Sequence, residues 1–552
     1  MGPLKNNYLH MKLLNLIILA ALVSMSQLTV AATKQEEVNA QLQHLPFPSF
    51  AIHVPTFPDK QYVVTDFGAI GNATTNSTKA INEAIAICSA KGGGMVIVPA
   101  GMYITAQIVM KSNVNLHLNT GAMIVFSPNI DDYPLVKSGS GYGINPLIYG
   151  TNLTNVAITG NGSFDGNGQY WRPVKKEKMT ARQWNDLLKS GGTVDAKGNT
   201  WFPNQQAADG QAYLSSKKKS ELTEADYQKV KAFLRPKMLS LEHCTNVLVE
   251  GITLKNPPNF NMIMRSIDGL VVHNVKVMNE WWIQNGDGLD IGNCKNVLMY
   301  DCTVNSGDDG ICMKSSKSRT DEYSLENVVI KDCTVYHAHG GFVIGSNTDG
   351  NMRNIYVNNC SYTGTDTGLR FKSNIGRGGK VDHIFVDSVF MKDIAGEAII
   401  FDLKYADAAA VKNKGMAKEE SFVPDFSDIS INHVVCDGAK AAFLVDGSQL
   451  PMVHNITVSN SIFKTDKGIT STLSDHVTFN HCSFTVKKKP AVALIQTQHW
   501  IFDQCMFQQP KGIVMRLSSN NTNNIVLHQT SVQPSEIEYL DGATSSAVTF
   551  GK

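Results

Sequence analysis

The chain has no excess of charge of either sign: 49 Lys and Arg stand against 48 Asp and Glu, for a net charge of +1 over 552 residues. That balance excludes a global field drawing the protein to nucleic acid or an anionic membrane, so any anion must be held by local basic residues. A disorder-like composition is also missing, since 43% of the residues are hydrophobic, ample for a core. No cysteine precedes Cys88, which argues against a lipid-anchored cysteine beside an N-terminal leader. No repeating unit carries an amphipathic helix, so leucine-rich and helical solenoids fit poorly.

At the N-terminus, Lys5 and Lys12 precede an apolar run over 13–25 and the small-residue exit Thr29-Val30-Ala31-Ala32. This order describes a cleavable signal peptide over 1–32, with a run too short to span a membrane. The expected location is secreted or periplasmic, the expected state a monomer without stable membrane association. A lead-in over 33–60 then precedes one large domain over 61–545.

That domain repeats. The segments 246–254 (NVLVEGITL), 296–304 (NVLMYDCTV), 327–335 (NVVIKDCTV) and 354–362 (NIYVNNCSY) read as short strands with alternating character, each opened by Asn. The equivalent apolar position recurs at Val247, Leu270, Val297, Val328, Ile355 and Ile384, then at Ile456, Val477, Trp500 and Ile525. Short strands and Gly/Asn/Asp bends at this period predict an all-β fold, a single-stranded parallel β-helix, in which each coil buries its inner face against its neighbours. A β-propeller would need a longer period. Cys302, Cys333, Cys360, Cys482 and Cys505 share one slot, which predicts a buried ladder of thiols rather than disulfides. A helix over 76–90 is expected to cap the N-terminal end of the core. Insertions near 165–235 and 404–425 break the rhythm, and such insertions commonly line a binding face.

A second motif repeats beside the first. Asp287-Gly288, Asp309-Gly310, Gly340-Gly341 and Thr367-Gly368 align on four successive coils. Asp287 and Asp309 then share one slot, and Asp308 and His339 share the slot before it. Arg370 and Lys372, two residues apart on one strand, leave the same face. Alone, each motif reads as a turn, a packed histidine or a solvated strand; together on four coils they read as a site. Clustered carboxylates raise at least one carboxyl pKa, keeping an acid available beside a base, and Arg with Lys suits an anionic sugar.

At these residues the chain resembles the pectin-degrading glycoside hydrolase family 28, the polygalacturonases and their exo-acting relatives. The resemblance lies in Asn285-Gly286-Asp287, Gly307-Asp308-Asp309, Ala338-His339-Gly340 and Arg370-Phe371-Lys372, in that order. Gly286 and Ala338 stand where the family has Thr and Gly. The opening stretches Asp66-Phe67-Gly68-Ala69 and 93–101 are also similar. The resemblance implies a right-handed β-helix and inverting hydrolysis of α-1,4-linked galacturonides in pectin, exo-acting given the insertion at 165–235. It implies Asp308 as general acid, Asp287 and Asp309 as activators of water, and His339 as a tuner of the acid. Arg370 and Lys372 would hold a substrate carboxylate, Asn285 would orient sugar or an aspartate, and no metal or other cofactor is called for. An inverting pair is expected to stand ~6.5–9.5 Å apart. The alternatives are a Ca²⁺-dependent pectate lyase on the same architecture and a non-catalytic carbohydrate-binding β-helix.

Overall fold

The computed structural model describes residues 34–317, 321–405, 423–447, 450 and 452–551. The signal peptide expected over 1–32 and nearly all of the insertion expected at 404–425 lie outside the described residues. Among them, no helix is long and apolar enough to cross a membrane.

The strands wind into a right-handed parallel β-helix whose coils stack in two long parallel ladders, of 27 and 14 strands. One coil shows the plan: Leu289–Gly292 lies in the shorter ladder, then Lys295–Tyr300 and Thr303–Asn305 run along the longer one. The repeat positions read from the sequence fall on a single ladder. Val247 pairs with Leu270, Leu270 with Val297, Val297 with Val328, and so on to Ile384. The long gap from Ile384 to Ile456 holds one further rung, Ile429. Its coil escaped notice because the chain between the two strands of that coil is long.

The asparagines that open these strands have a backbone reason. Asn246, Asn296, Asn327 and Asn354 all sit in the left-handed region, at φ 54° to 58°, which Asn tolerates better than most side chains. Their amides then form a second ladder outside the core: Asn327 Nδ2 donates to Asn296 Oδ1 and Asn354 Nδ2 to Asn327 Oδ1, both at 3.0 Å. All ten cysteines are free and buried, and those of the repeat slot pack into the same apolar core as the rungs around them. The helix Thr78–Ala90 caps the N-terminal end, with Ile81, Ala84, Ile85 and Cys88 buried in the core.

The alternation expected of the repeat strands leaves their outer face polar, and the strands carry apolar residues there as well. Leu248, Val271, Leu298, Tyr300 and Val329 point away from the core, yet they are buried in a second apolar cluster with Val38, Leu42, Phe47 and Ile52. A strand covered on both faces is apolar on consecutive positions. The lead-in is therefore a strap, a helix over 34–41 and an extended segment after it, laid across the outer face of the longer ladder. At the other end, Val548–Gly551 pairs with Asn523–His528, so the helix continues past the expected boundary at 545.

Candidate active site

Strand Leu369–Lys372 alternates, with Leu369 and Phe371 in the core and Arg370 and Lys372 outside it. Phe371 stacks on Phe401 at 4.5 Å and fixes the strand from below. The ladder places Asp290, Cys312, Val343 and Arg370 in one outward slot. Gly288 and Gly310 let the bends before these strands approach: a Cβ on Gly288 would meet the Gly310 carbonyl at 2.5 Å. Backbone bonds from Gly288 N to Asp309 O and from His339 N to Asp308 O lock the expected register of three successive bends.

The predicted groups do come together. Asp287, Asp308 and Asp309 each place a carboxylate oxygen within 4.8 Å of the others. The side chain of Asp308 is 18% exposed, against 5% for Asp287 and 3% for Asp309, so Asp308 offers the most accessible carboxyl. His339 Nδ1 lies 3.1 Å from Asp308 Oδ1, and its Nε2 is 3.8 Å from Asp366. Lys372 Nζ is 2.6 Å from Asp309 Oδ2, and Arg370 is 3.7 Å from Asp309 Oδ1. The two expected substrate cations thus pair with Asp309 in the free protein, with the Tyr405 ring 5.0–5.6 Å from both. Asn285 Oδ1 accepts from Arg235, at 2.9 Å.

The expected separation of ~6.5–9.5 Å is not met. Stacked bends rise only ~4.8 Å per coil, and all three carboxylates hang on one wall rather than facing one another across a cleft. A water molecule with two hydrogen bonds of ~2.8 Å bridges oxygens somewhat under 5 Å apart, so this cluster is dimensioned to hold a water.

Two residues of the site were not picked out from the sequence. Lys314 bridges Asp287 and Asp290, at 3.2 and 2.9 Å, and Asp290 is wholly buried. The signal was present: Lys314 follows Gly310 by the same four residues by which Lys372 follows Gly368. The charges sort the carboxyls. Burial raises Asp287 well above its ordinary value, and the neighbouring Asp290 adds to this against the pull of Lys314. Burial likewise lifts Asp290 to about 6 although Lys314 opposes it. Burial would raise Asp309 too, but Lys372, Lys314 and Arg370 outweigh it and hold this carboxyl below the usual range. Lys314 and Lys372 occupy the positions from which a bound cation would neutralise these acids.

The insertion reaches the site. It carries a three-stranded antiparallel sheet and three helices, Ala181–Lys189, Gln205–Ser215 and Glu224–Lys229. Lys178 Nζ donates to the Gly307 carbonyl at 3.0 Å; burial lowers its pKa while the charge of Asp308 supports it. Two coils before Asp290 on the same outer face lie Ser240 and Glu242, which line a cavity of about 380 Å³. Lys137, Arg235 and Lys237 also line it, and the hairpin of Leu135–Ser138 and Gly141–Ile144 forms one wall.

Residues 173–483, more than half of the chain, match the model of glycosyl hydrolases family 28. The chain belongs to that family. Residues 62–125 match a second model, rhamnogalacturonase A/epimerase, pectate lyase-like. The chain is 27% identical over 399 residues to an exo-poly-alpha-D-galacturonosidase of Dickeya chrysanthemi, covering 70% of this chain and 64% of that one. It is 26% identical to a probable polygalacturonase of Vitis vinifera, covering 60% of each. It thus spans under two thirds of the length of these two relatives. The solved structure of an exopolygalacturonase from Thermotoga maritima superposes with a TM-score of 0.60 at 28% identity, over 79% of this chain and 91% of the other. A family 28 exopolygalacturonase from Yersinia enterocolitica shares the fold, with a TM-score of 0.60 at 20% identity over 91% and 80%.

Proposed function

We propose that this chain hydrolyses the α-1,4 bonds of polygalacturonate by single displacement, releasing sugar from a chain end. The observation that carries this reading is the cluster of Asp287, Asp308 and Asp309 on one wall, with Arg370 and Lys372 on the next coils. Asp308, the accessible carboxyl beside His339, gives its proton to the departing glycosidic oxygen. Asp309, held ionised by three cations, takes a proton from the attacking water. Asp287, whose carboxyl retains its proton more strongly, positions that water through a hydrogen bond. His339 positions the Asp308 carboxyl and acts through it.

A galacturonate carboxylate entering the site competes with Asp309 for Arg370, the more exposed of the two cations, and leaves Lys372 in place. Asn285, fixed by Arg235, faces the same substrate. The cavity lined by Lys137, Arg235 and Lys237 falls within the ~300–1,000 Å³ usual for small-molecule sites, and the hairpin over 135–144 forms one wall of it. That supports exo action, because a basic recess walled by a hairpin suits the acidic sugar at a chain end. The protein acts as an exported monomer, with a signal peptide over 1–32 removed and one β-helical catalytic domain from residue 61 onward.

The test is a time course on polygalacturonate. New reducing ends, with galacturonate monomer as the first product and no near-ultraviolet rise, are expected. Unsaturated products abolished by a chelator would establish a lyase instead, and sugar retention with no new reducing ends would establish a binding protein.

A further inference from the structure

Three metal-binding side chains converge far from the catalytic wall, three coils beyond the coil of Arg370. His476 and His499 take the left-handed corner position on successive coils, at φ 48° and 53°. Their flanking residues pair in register, Asp475 with Gln498 and Val477 with Trp500. The two imidazoles therefore stack, with centroids 4.4 Å apart and planes 20° from parallel. Asp475 joins them: Oδ1 is 2.8 Å from His499 Nδ1 and Oδ2 is 3.1 Å from His476 Nδ1. One donor atom from each of the three lies within 4.8 Å of the others.

At most other rungs this corner carries asparagine, as at Asn246, Asn296, Asn327, Asn354, Asn455 and Asn524, whose amides can donate and accept from rung to rung. Stacked imidazoles have no such complementarity, and two protonated rings would repel. What two neutral imidazoles and a carboxylate do suit is a borderline divalent cation. The other acidic clusters differ. At Asp382, His383 and Asp428, Lys380 Nζ already sits 2.7 Å from Asp382 and the Tyr323 hydroxyl 3.1 Å from it. At the catalytic wall, Lys314 and Lys372 fill that role. Among the described residues, the ion pairs of Asp475 are those with the two imidazoles.

We propose that Asp475, His476 and His499 form a binding site for a Zn²⁺-type divalent cation that staples two consecutive coils. Three protein ligands leave a fourth tetrahedral position for water. Asn524, the next corner residue, places its side-chain amide nitrogen 3.1 Å from His499 Nε2; when Nδ1 takes the metal, Nε2 carries the proton and the amide turns its oxygen to accept it, orienting the ring. Since the ligands meet only when the coils are stacked, the ion binds the folded chain and stabilises it.

The experiment is calorimetric titration of the tag-free, chelator-stripped full chain with ZnCl₂, alongside melting with and without the metal. One saturable equivalent and a raised Tm are expected, with no response to MgCl₂. A His476→Asn/His499→Asn double variant keeps the corner backbone, because Asn455 and Asn524 already stand there at φ 54° and 56°. It should bind about tenfold or more weakly and lose the metal-induced rise in Tm, while turnover on polygalacturonate is unchanged. Asp308→Asn should bind Zn²⁺ as the parent does. Absence of saturable binding to the parent overturns the proposal. So does undiminished binding in the double variant, or a loss confined to Asp308→Asn, which would place the ion on the catalytic carboxylates.

Discussion

Two charged clusters sit on the outer faces of this β-helix, and they settle their acids in opposite ways. On the shorter ladder, Asp287, Asp290 and Asp309 share Lys314, Lys372 and Arg370, and two of them, Asp287 and Asp290, are pushed up by burial. On the longer ladder, Lys34 of the strap lies 3.0 Å from Glu37 and 2.5 Å from Glu250, with His273 and the Tyr300 hydroxyl completing the group. Burial acts against the charge of Glu250 as well, but the bonds from His273 and Lys34 outweigh it and its pKa falls. Glu37 falls for the same reason, with Lys34 and Tyr300 opposing burial. On the strap both carboxylates are kept ionised and fasten a segment. On the wall an ionised Asp309 stands beside Asp287 and Asp290, which resist ionisation. The same residue types thus make a fastening on one face and an acid–base site on the other.

The comparison can be broken from either side. The largest effect is expected from Asp308→Asn, which removes the accessible carboxyl proposed as the acid: kcat should fall about 10²- to 10⁴-fold with Tm unchanged, and a retained rate would remove Asp308 from its role. Lys314→Met strands Asp287 and Asp290 without their cation. Breaking a buried pair in this way costs ~3–5 kcal/mol, so denaturant melts should show a large loss of stability together with a loss of turnover.

Lys34→Met loosens the strap instead. A loss of ~1–3 kcal/mol is expected from hydrogen bonds to charged partners, with kcat on polygalacturonate intact; coupled loss of activity would show that the two faces are not independent.

Titration sharpens the contrast. Glu37 and Glu250 have lowered folded pKa values, so their stabilisation is present above the unfolded value of 4.5 and is lost as pH falls through the folded ones. Asp290 is raised from 3.8 to about 6, so its contribution is full below 3.8 and is lost as pH rises toward 6. Tm measured against pH should therefore fall less steeply between about 4 and 6 in Asp290→Asn than in the parent. The smallest effect is expected from Asn327→Ala: at φ 58° an alanine is strained by ~1–2 kcal/mol, and the ladder bond from Asn354 is lost.

Most of the architecture was legible because a one-coil displacement in sequence is a single ladder contact in space. The apolar rungs from Val247 to Ile525 and the stacked bends at Gly288, Gly310, Gly341 and Gly368 followed from period alone. Ile429 did not, because a long connection hides its period. The strap over 34–57 was read as a passive lead-in, since nothing local to it shows what it covers. The signal lay in its target, in consecutive apolar residues such as Val297-Leu298-Met299 that a one-sided strand does not need. At the site, the charged motifs are legible through their order, whereas Asp290 and Lys314 lie on the strands that follow the aligned bends and belong to no motif. The cavity wall over 135–144 is a hairpin outside the repeat, which periodicity does not detect.

The single displacement proposed for this wall of carboxylates needs the attacking water to reach the sugar from the face opposite the departing oxygen. Proton NMR during the first turnovers on an α-1,4-linked oligogalacturonide reads this directly. Single displacement gives the β-anomer of the new reducing end first, with the α-anomer appearing only by mutarotation. The α-anomer as first product would mean that one of these aspartates attacks the sugar itself, and the roles given to Asp287 and Asp309 would be wrong.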